Sequence, residues 1–330
     1  MAEALPRRVL RDTGTDTVRG IVLANICFLL LTIGDIATLW ALPVAGVAGA
    51  MIGRGVLGGA AVAGLAAVQK GGEPHGLQRL RPVRTRLVVF RSLIHAGASL
   101  TWYVSWQLGL PLAESYAVGY AAPLIMTLIA VPMLHERLGA RRVAATGLGF
   151  LGMLVMLRPG GELWTPVSLL LLTGVAAMAV SRTLTRVLAT TETPECLAFW
   201  LLAIHLPMGI AMVFMGFPAP GIDVSVVAGL LVLGLTNGVA HWLHSRAAAL
   251  APIGALAPYE YTAMLWAGVL GYLVFAQVPS WGTIAGAIVV ATAGLSNFQG
   301  ERLRSRAERA ASAGGALAVA APAVAQRSDL

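Results

Sequence analysis

The stretch from Tyr120 to Arg142, YAAPLIMTLIAVPMLHERLGARR, decides the class of this protein. Its apolar run carries Pro123 and Pro132 and stops at the Glu136, Arg137 pair. In a soluble helix each proline would remove a backbone donor and clash with the preceding turn, at a cost of about 3 kcal/mol. In a bilayer, packed neighbouring helices can satisfy the freed groups. The segment therefore reads as a membrane helix with a charged collar, its prolines supplying bends.

Composition agrees. Of the 330 residues 57% are hydrophobic and only 12% charged, against roughly 45–50% and about 25% in ordinary globular domains. The apolar runs recur at lengths near 20 residues, which is what about 30 Å of hydrocarbon requires at about 1.5 Å per residue. The 23 Lys and Arg outnumber the 15 Asp and Glu, yet they form no basic helix with interleaved aromatics, so nucleic acid is not an expected partner. Cys27 and Cys196 lie in or beside apolar runs and support neither a disulfide framework nor a metal site. Residues 135–139, HERLG, lack the second His of a zincin motif, and no P-loop, GxSxG or Asp-rich pair occurs. No enzyme, metal or cofactor is expected.

Apolar windows fall near 20–42, 46–68, 87–108, 112–134, 142–158, 165–188, 196–216, 224–249, 252–276 and 280–299. The first follows Arg7, Arg8, Arg11 and Arg19 but is too long for a signal peptide, so it reads as an uncleaved helix. Every second connection is nearly free of basic residues, beginning with LPVAG at 42–46. The others carry the Lys and Arg, including Arg79, Arg81, Arg84 and Arg86, then Arg182 and Arg186, then Arg246. The positive-inside rule puts these loops and both termini in the cytoplasm. The expected fold is thus an all-α polytopic membrane protein of ten transmembrane helices in the cell (inner) membrane. Residues 1–19 are a cytoplasmic segment, and 301–330 read as a disordered tail.

The chain also repeats itself. A shift of about 140 positions aligns 110-LPLAESYAVGYAAPL-124 with 250-LAPIGALAPYEYTAM-264, Trp102 with Trp242, and Glu136 with the neighbourhood of Gln277. The halves are 20–160 and 161–300, with five windows each. An odd number of spans forces opposite orientations, the inverted-repeat plan in which a substrate site lies near mid-depth.

These residues carry a resemblance. The block 113-AESYAVGYAAPLIMTLIAVPMLHERLGARRVAATGLGFLGMLVMLRPGG-161, with 182-RTLTRVLATTETPE-195 and the stretch 257–295, resembles the drug/metabolite transporter superfamily, EamA-type, with two five-helix halves. It is most similar to the branch with carriers proposed for riboflavin and S-adenosylmethionine. The resemblance implies a secondary transporter, expected as an exporter of a small metabolite, working by alternating access with proton coupling or exchange. A lipid flippase or a membrane scaffold is the alternative, and a monomer or a homodimer is compatible. In two places the chain departs from the pattern: Leu39 stands where that branch often has a Lys, and Gln277 where the second half would repeat the helix-end Glu.

Polar residues in the apolar windows are the candidate site, because a charge at mid-bilayer costs about 2.5–3.5 kcal/mol or more. Glu260, after Pro258, falls near mid-depth and can exchange protons as its surroundings change. Asp35 and Arg54 fall in the outer half, as an alternating ion pair or a fixed structural one. Tyr120 and Tyr261, with Tyr116, can line a cavity or simply pack, as can Trp102, Trp106 and Trp242. His205, His95 and His241 suit either a proton relay or interhelical hydrogen bonds. Arg91 is read as snorkelling to the cytoplasmic edge. Pro123 and Pro258 provide bends, Glu136 and Arg137 set the turn after the fourth helix, and Gly147, Gly149 and Gly152 permit close helix approach.

Overall fold

With no water at depth, each apolar window must satisfy its backbone internally, and the described windows do so as helix. The computed structural model describes residues 14–69, 74–110, 112–119, 121–134, 140–157, 165–256, 259–260 and 262–275, with a few single positions beyond. The helices are α1 (Gly14–Gly53), α2 (Gly59–Val68), α3 (Thr85–Gln107), α4 (Leu112–Gly119), α5 (Ala121–Leu134), α6 (Ala140–Leu157), α7 (Pro166–Leu188), α8 (Pro194–Ala203), α9 (His205–Phe214), α10 (Val224–Leu250), α11 (Ile253–Leu256) and α12 (Thr262–Phe275). Among the described residues there is no strand.

Among the described residues, five continuous helical stretches are long and apolar enough to cross a membrane: Thr15–Val68, Thr85–Gln107, Pro166–Leu188, Pro194–Phe214 and Val224–Leu250. The chain is a multi-pass membrane protein. Large apolar side chains on the outside of the bundle, among them Phe90, Leu128, Leu151, Leu235 and Leu273, are exposed, which suits lipid rather than water. The shorter helices α4 to α6, α11 and α12 fall in the apolar windows expected at 112–134, 142–158 and 252–276. The window at 280–299, both chain ends and the turn at 135–139 lie almost wholly outside the described residues.

The first stretch, of 54 residues, would be about 80 Å long if straight. It is folded back at Gly46, whose φ of 62° lies in the left-handed region, three residues after Pro43. Only glycine takes that conformation without strain. Packing on α10 shows the reversal. Along the first limb Gly20 meets Ala247 and Ala251, Gly34 meets Asn237, and Ala41 meets Gly229, an antiparallel register. Along the second limb Gly53 meets Leu230, Leu57 meets Gly234, and Ala61 meets Gly238, a parallel one.

The same reasoning orients the other central helices. Helix α7 runs antiparallel to α3, since Ser181 bonds to the Arg91 carbonyl while Gly174 lies against Thr101. Helices α8 and α9 run parallel to α3, since Arg91 reaches the Leu197 carbonyl and His205 reaches Ser99. Tight approaches concentrate around α10 and the second limb, where a Cβ on Gly55 would lie 3.0 Å from the Leu206 Cα. A Cβ on Gly147 of α6, expected at a close helix contact, would meet nothing within 4 Å among the described residues.

Three helices begin with side-chain caps: Thr165 accepts from Ser168 N, Thr193 from Cys196 N, and Asp223 from Val226 N. Asp223 is exposed at the start of α10, and the Ser225 hydroxyl, then the Val226 amide, hold its carboxyl below the usual range.

Within the second limb, where it packs on α10, the backbone opens into a π-helical turn at Arg54–Gly58. The sequence supplies it with Gly53, Gly55, Gly58 and Gly59, and such turns gather at functional positions. Here the turn carries Arg54 into the bundle interior.

Candidate functional site

The interior holds a cavity with about 750 Å³ of empty space, counting its open mouth. Its walls come from the first limb of α1, the π turn, α3, α4, α5, α7, α10, Glu260 and Ala263. Two carboxylates, Asp35 and Glu260, and two guanidinium groups, Arg54 and Arg182, face it, with Trp102, Tyr103, Trp106 and Tyr116 as aromatic walls.

The four charges are not paired as the sequence suggested. Arg182 donates to Glu260 and forms the ion pair. Asp35 and Arg54 share the cavity, but no ion pair joins them among the described residues. The Asp35 carboxylate accepts instead from the Tyr116 hydroxyl at 2.7 Å. Arg54 donates to Ser99 at 3.2 Å, to Tyr103 at 3.0 Å and to His241 at 2.8 Å. The reason is the π turn, which aims Arg54 at α3 and α10.

Chemistry sets the histidine tautomers. A guanidinium cannot accept, so His241 Nε2 is the acceptor and its proton sits on Nδ1. In His205 the Nδ1 proton goes to the Leu201 carbonyl at 2.8 Å, and Nε2 lies 3.0 Å from the Ser99 hydroxyl, whose proton is shared with the His95 carbonyl at 3.1 Å. His205 is fully buried and lies one residue behind the cavity wall, reaching it through Ser99. His95 packs edge-on against both rings, with centroids 6.1 Å and 5.1 Å away. It is 2% exposed, and among the described residues neither of its nitrogens has a hydrogen-bond partner.

Other expectations divide. Trp102 and Trp106 line the cavity, whereas Trp242 donates to Glu195 away from it. Tyr116 lines it, but Tyr120, Tyr261, Pro258, Glu136 and Arg137 lie outside the described residues. Pro123 lies within α5. Arg91 does not snorkel: it is 1% exposed and donates to the Leu197 carbonyl at 2.7 Å. Arg182 and Arg186, counted with the basic connections, both lie inside α7, and Arg186 reaches the Ala248 carbonyl. Four residues apart near the end of an apolar window, they resembled a charged collar. Their partners, 78 and 62 residues away, left no local trace.

A second polar cluster fastens one end of the bundle. Residues 74–84, between α2 and α3, are held on the α7 to α8 corner. The Glu192 carboxylate accepts from Val83 N at 2.9 Å and Arg84 N at 2.7 Å, capping α3 from a distant part of the chain. Arg79 faces Glu195 at 3.6 Å, Trp200 donates to the Leu80 carbonyl, and the Arg246 guanidinium stacks over Trp242.

No known protein-family model matches the chain. It is 24% identical to an S-adenosylmethionine uptake transporter of Rickettsia prowazekii over 227 residues, 66% of this chain and 76% of the relative. It is 28% identical to a riboflavin transporter of Rhizobium johnstonii over 207 residues, 61% and 68% of the two chains, and 24% identical to one of Vibrio cholerae over 208 residues, 63% and 70%. A solved structure described only as the crystal structure of a protein superposes with a TM-score of 0.71 at 19% identity, over 86% of this chain and 98% of that one. That likeness concerns the fold alone. The chain is a multi-pass protein of the cell membrane whose curated relatives here are named bacterial transporters.

Proposed function

We propose that the chain is a secondary carrier of a small metabolite, of the EamA type within the drug/metabolite transporter superfamily. The single observation that carries this reading is a mid-bundle cavity bearing two acids and two arginines. Such groups are costly at that depth and are retained where they meet a substrate or a coupling ion.

The carrier has ten spans in two inverted halves, 20–160 and 161–300, with both termini cytoplasmic. Helix directions support this plan. The two limbs of α1–α2 and then α3 run in one, the opposite, and the first direction; α7, α8–α9 and α10 run in the reverse order. The cavity draws on both sets of helices, as expected of a site at a repeat interface. Alternating access then rocks one half against the other around the cavity. The relatives' names, two of which specify uptake or transport of S-adenosylmethionine and riboflavin, favour import over the export expected from sequence.

Glu260 and Arg182 are the coupling pair. A proton or a substrate group arriving at Glu260 competes with Arg182 and loosens the tie between α7 and the 259–260 turn. The test is uptake of radiolabelled S-adenosylmethionine and of riboflavin into proteoliposomes, with and without an imposed proton gradient. The expected result is saturable uptake of one compound that Glu260→Gln abolishes in folded protein. Lipid scrambling without uptake of either compound would overturn the carrier reading in favour of a flippase.

A further inference from the structure

The Arg182–Glu260 pair is electrically closed, which leaves one unmatched charge of each sign in the cavity. Among the described residues the hydrogen-bond partner of Asp35 is the neutral Tyr116 hydroxyl, on one oxygen. Arg54 donates to three neutral groups and forms no ion pair among the described residues, although its charge is felt by Asp35 across the cavity. At this depth each unmatched charge calls for compensation, and the two are set on opposite limbs of the hairpin rather than on each other. Around them several buried polar atoms lack partners: both His95 nitrogens, the Trp102 indole nitrogen and Glu260 Oε1. All three side chains line the same cavity. Buried polar atoms are ordinarily satisfied, so four orphans in one wall mark where another molecule bonds.

The aromatic residues add a shape. Trp102 meets Trp106 and Tyr116 edge-on, at centroid distances of 5.7 and 5.9 Å, while Tyr103 stacks on Trp106 at 5.7 Å. Such rings offer flat faces and edges to a planar group.

From this arrangement, and resting on the carrier reading above, we infer that the cavity takes a zwitterionic ligand with a flat ring. Its anionic group meets Arg54, its cationic group meets Asp35, and the ring lies among Trp102, Trp106 and Tyr116. The orphaned Trp102 N–H and His95 nitrogens bond to heteroatoms of the ligand. A neutral flat molecule would leave both Asp35 and Arg54 uncompensated, so the site discriminates by charge as well as by shape.

The experiment measures binding to the purified full-length protein in nanodiscs, with four probes. S-adenosylmethionine has ring, carboxylate and cationic groups; 5′-methylthioadenosine has the ring alone; methionine has the zwitterion alone; riboflavin is flat and neutral. S-adenosylmethionine is expected to bind at least about tenfold more tightly than each of the others, the scale of one charged hydrogen bond. Arg54→Gln and Asp35→Asn are each expected to weaken it by about tenfold or more, and Arg54→Lys to keep part of the affinity. Monodisperse gel filtration separates lost binding from lost folding, and Arg54→Lys serves if Arg54→Gln does not fold. Equal or tighter binding of riboflavin or 5′-methylthioadenosine overturns the inference. So does failure of S-adenosylmethionine to bind, or indifference to Asp35→Asn. Flux through the same protein in vesicles separates the two readings. Selective binding without flux leaves the inference standing and breaks the carrier reading, while flux of riboflavin alone does the reverse.

Discussion

Glu195 and Glu260 are both buried glutamates facing an arginine, and they sit in opposite circumstances. At the fastened end of the bundle, Glu195 holds Arg79 and the Trp242 indole, and its neighbour Glu192 holds two backbone amides. In the cavity, Glu260 holds Arg182 through one oxygen while the other has no partner, and orphaned atoms of His95 and Trp102 share the wall. Glu195 Oε2 also lacks a hydrogen bond, although Arg79 stands 3.6 Å from it, so the difference is one of place: the first cluster ties a connecting segment to the bundle, whereas the second lines a cavity that a further molecule can enter. Buried polarity alone therefore does not mark function; incompleteness facing a cavity does.

The sharpest way to break this contrast is to empty the cavity of its closed pair. Arg182→Gln leaves Glu260 as an uncompensated buried charge, and breaking such a pair is expected to cost about 3–5 kcal/mol. Replacing both, Arg182→Gln with Glu260→Gln, should return most of that stability but no transport. Thermal unfolding in lipid nanodiscs together with vesicle uptake checks both halves of the expectation. If the double variant transports at the wild-type rate, the pair is scaffolding and belongs with Glu195.

At the fastened end the expectation is reversed. Glu192→Ala strips the cap from Val83 N and Arg84 N and should cost about 1–3 kcal/mol, the penalty for unmade buried hydrogen bonds. Transport per folded molecule should fall little, and substrate KM should stay within about twofold, a difference under 0.5 kcal/mol. A large rise in KM with unchanged unfolding temperature would mean that the 74–84 segment takes part in substrate access.

Much of this was legible before any coordinates. Apolar windows are imposed by the bilayer, so the helices around α3, α7 and α10 follow from length and hydropathy, and the reversal at Gly46 is foreshadowed by Pro43 and a linker without basic residues. Asp35, Arg54 and Glu260 stood out because charges inside apolar runs are rare. What was hidden was pairing. The partner of Glu260 lies on another helix and was counted with a basic connection; Arg54 was turned away from Asp35 by a π turn whose only trace is a cluster of glycines. Glu192 did not stand out at all, because its partners are backbone amides, which carry no sequence signature. His95 gave only the signal of an isolated histidine in an apolar run, and its lack of partners is visible only in three dimensions.

The smallest expected effect sharpens the comparison most. Tyr116→Phe removes one hydroxyl and keeps the ring against Trp102. Asp35 then loses its one protein hydrogen bond, but its carboxylate faces the cavity, where water can replace the lost donor. Stability should therefore change by less than about 1 kcal/mol, the low end for a hydrogen bond that solvent can re-form. Affinity should respond differently. The hydroxyl fixes the direction of the carboxylate, and a cationic group bound there should weaken by about two- to tenfold in KM, the equivalent of about 0.5–1.4 kcal/mol, with kcat unchanged. In the fastened cluster a lost hydrogen bond appears as lost stability; in the cavity it should appear as lost affinity. A Tyr116→Phe protein that unfolds as early as Glu192→Ala, with unaltered KM, would place Asp35 and Tyr116 among the structural contacts and leave Arg54 without its counterpart.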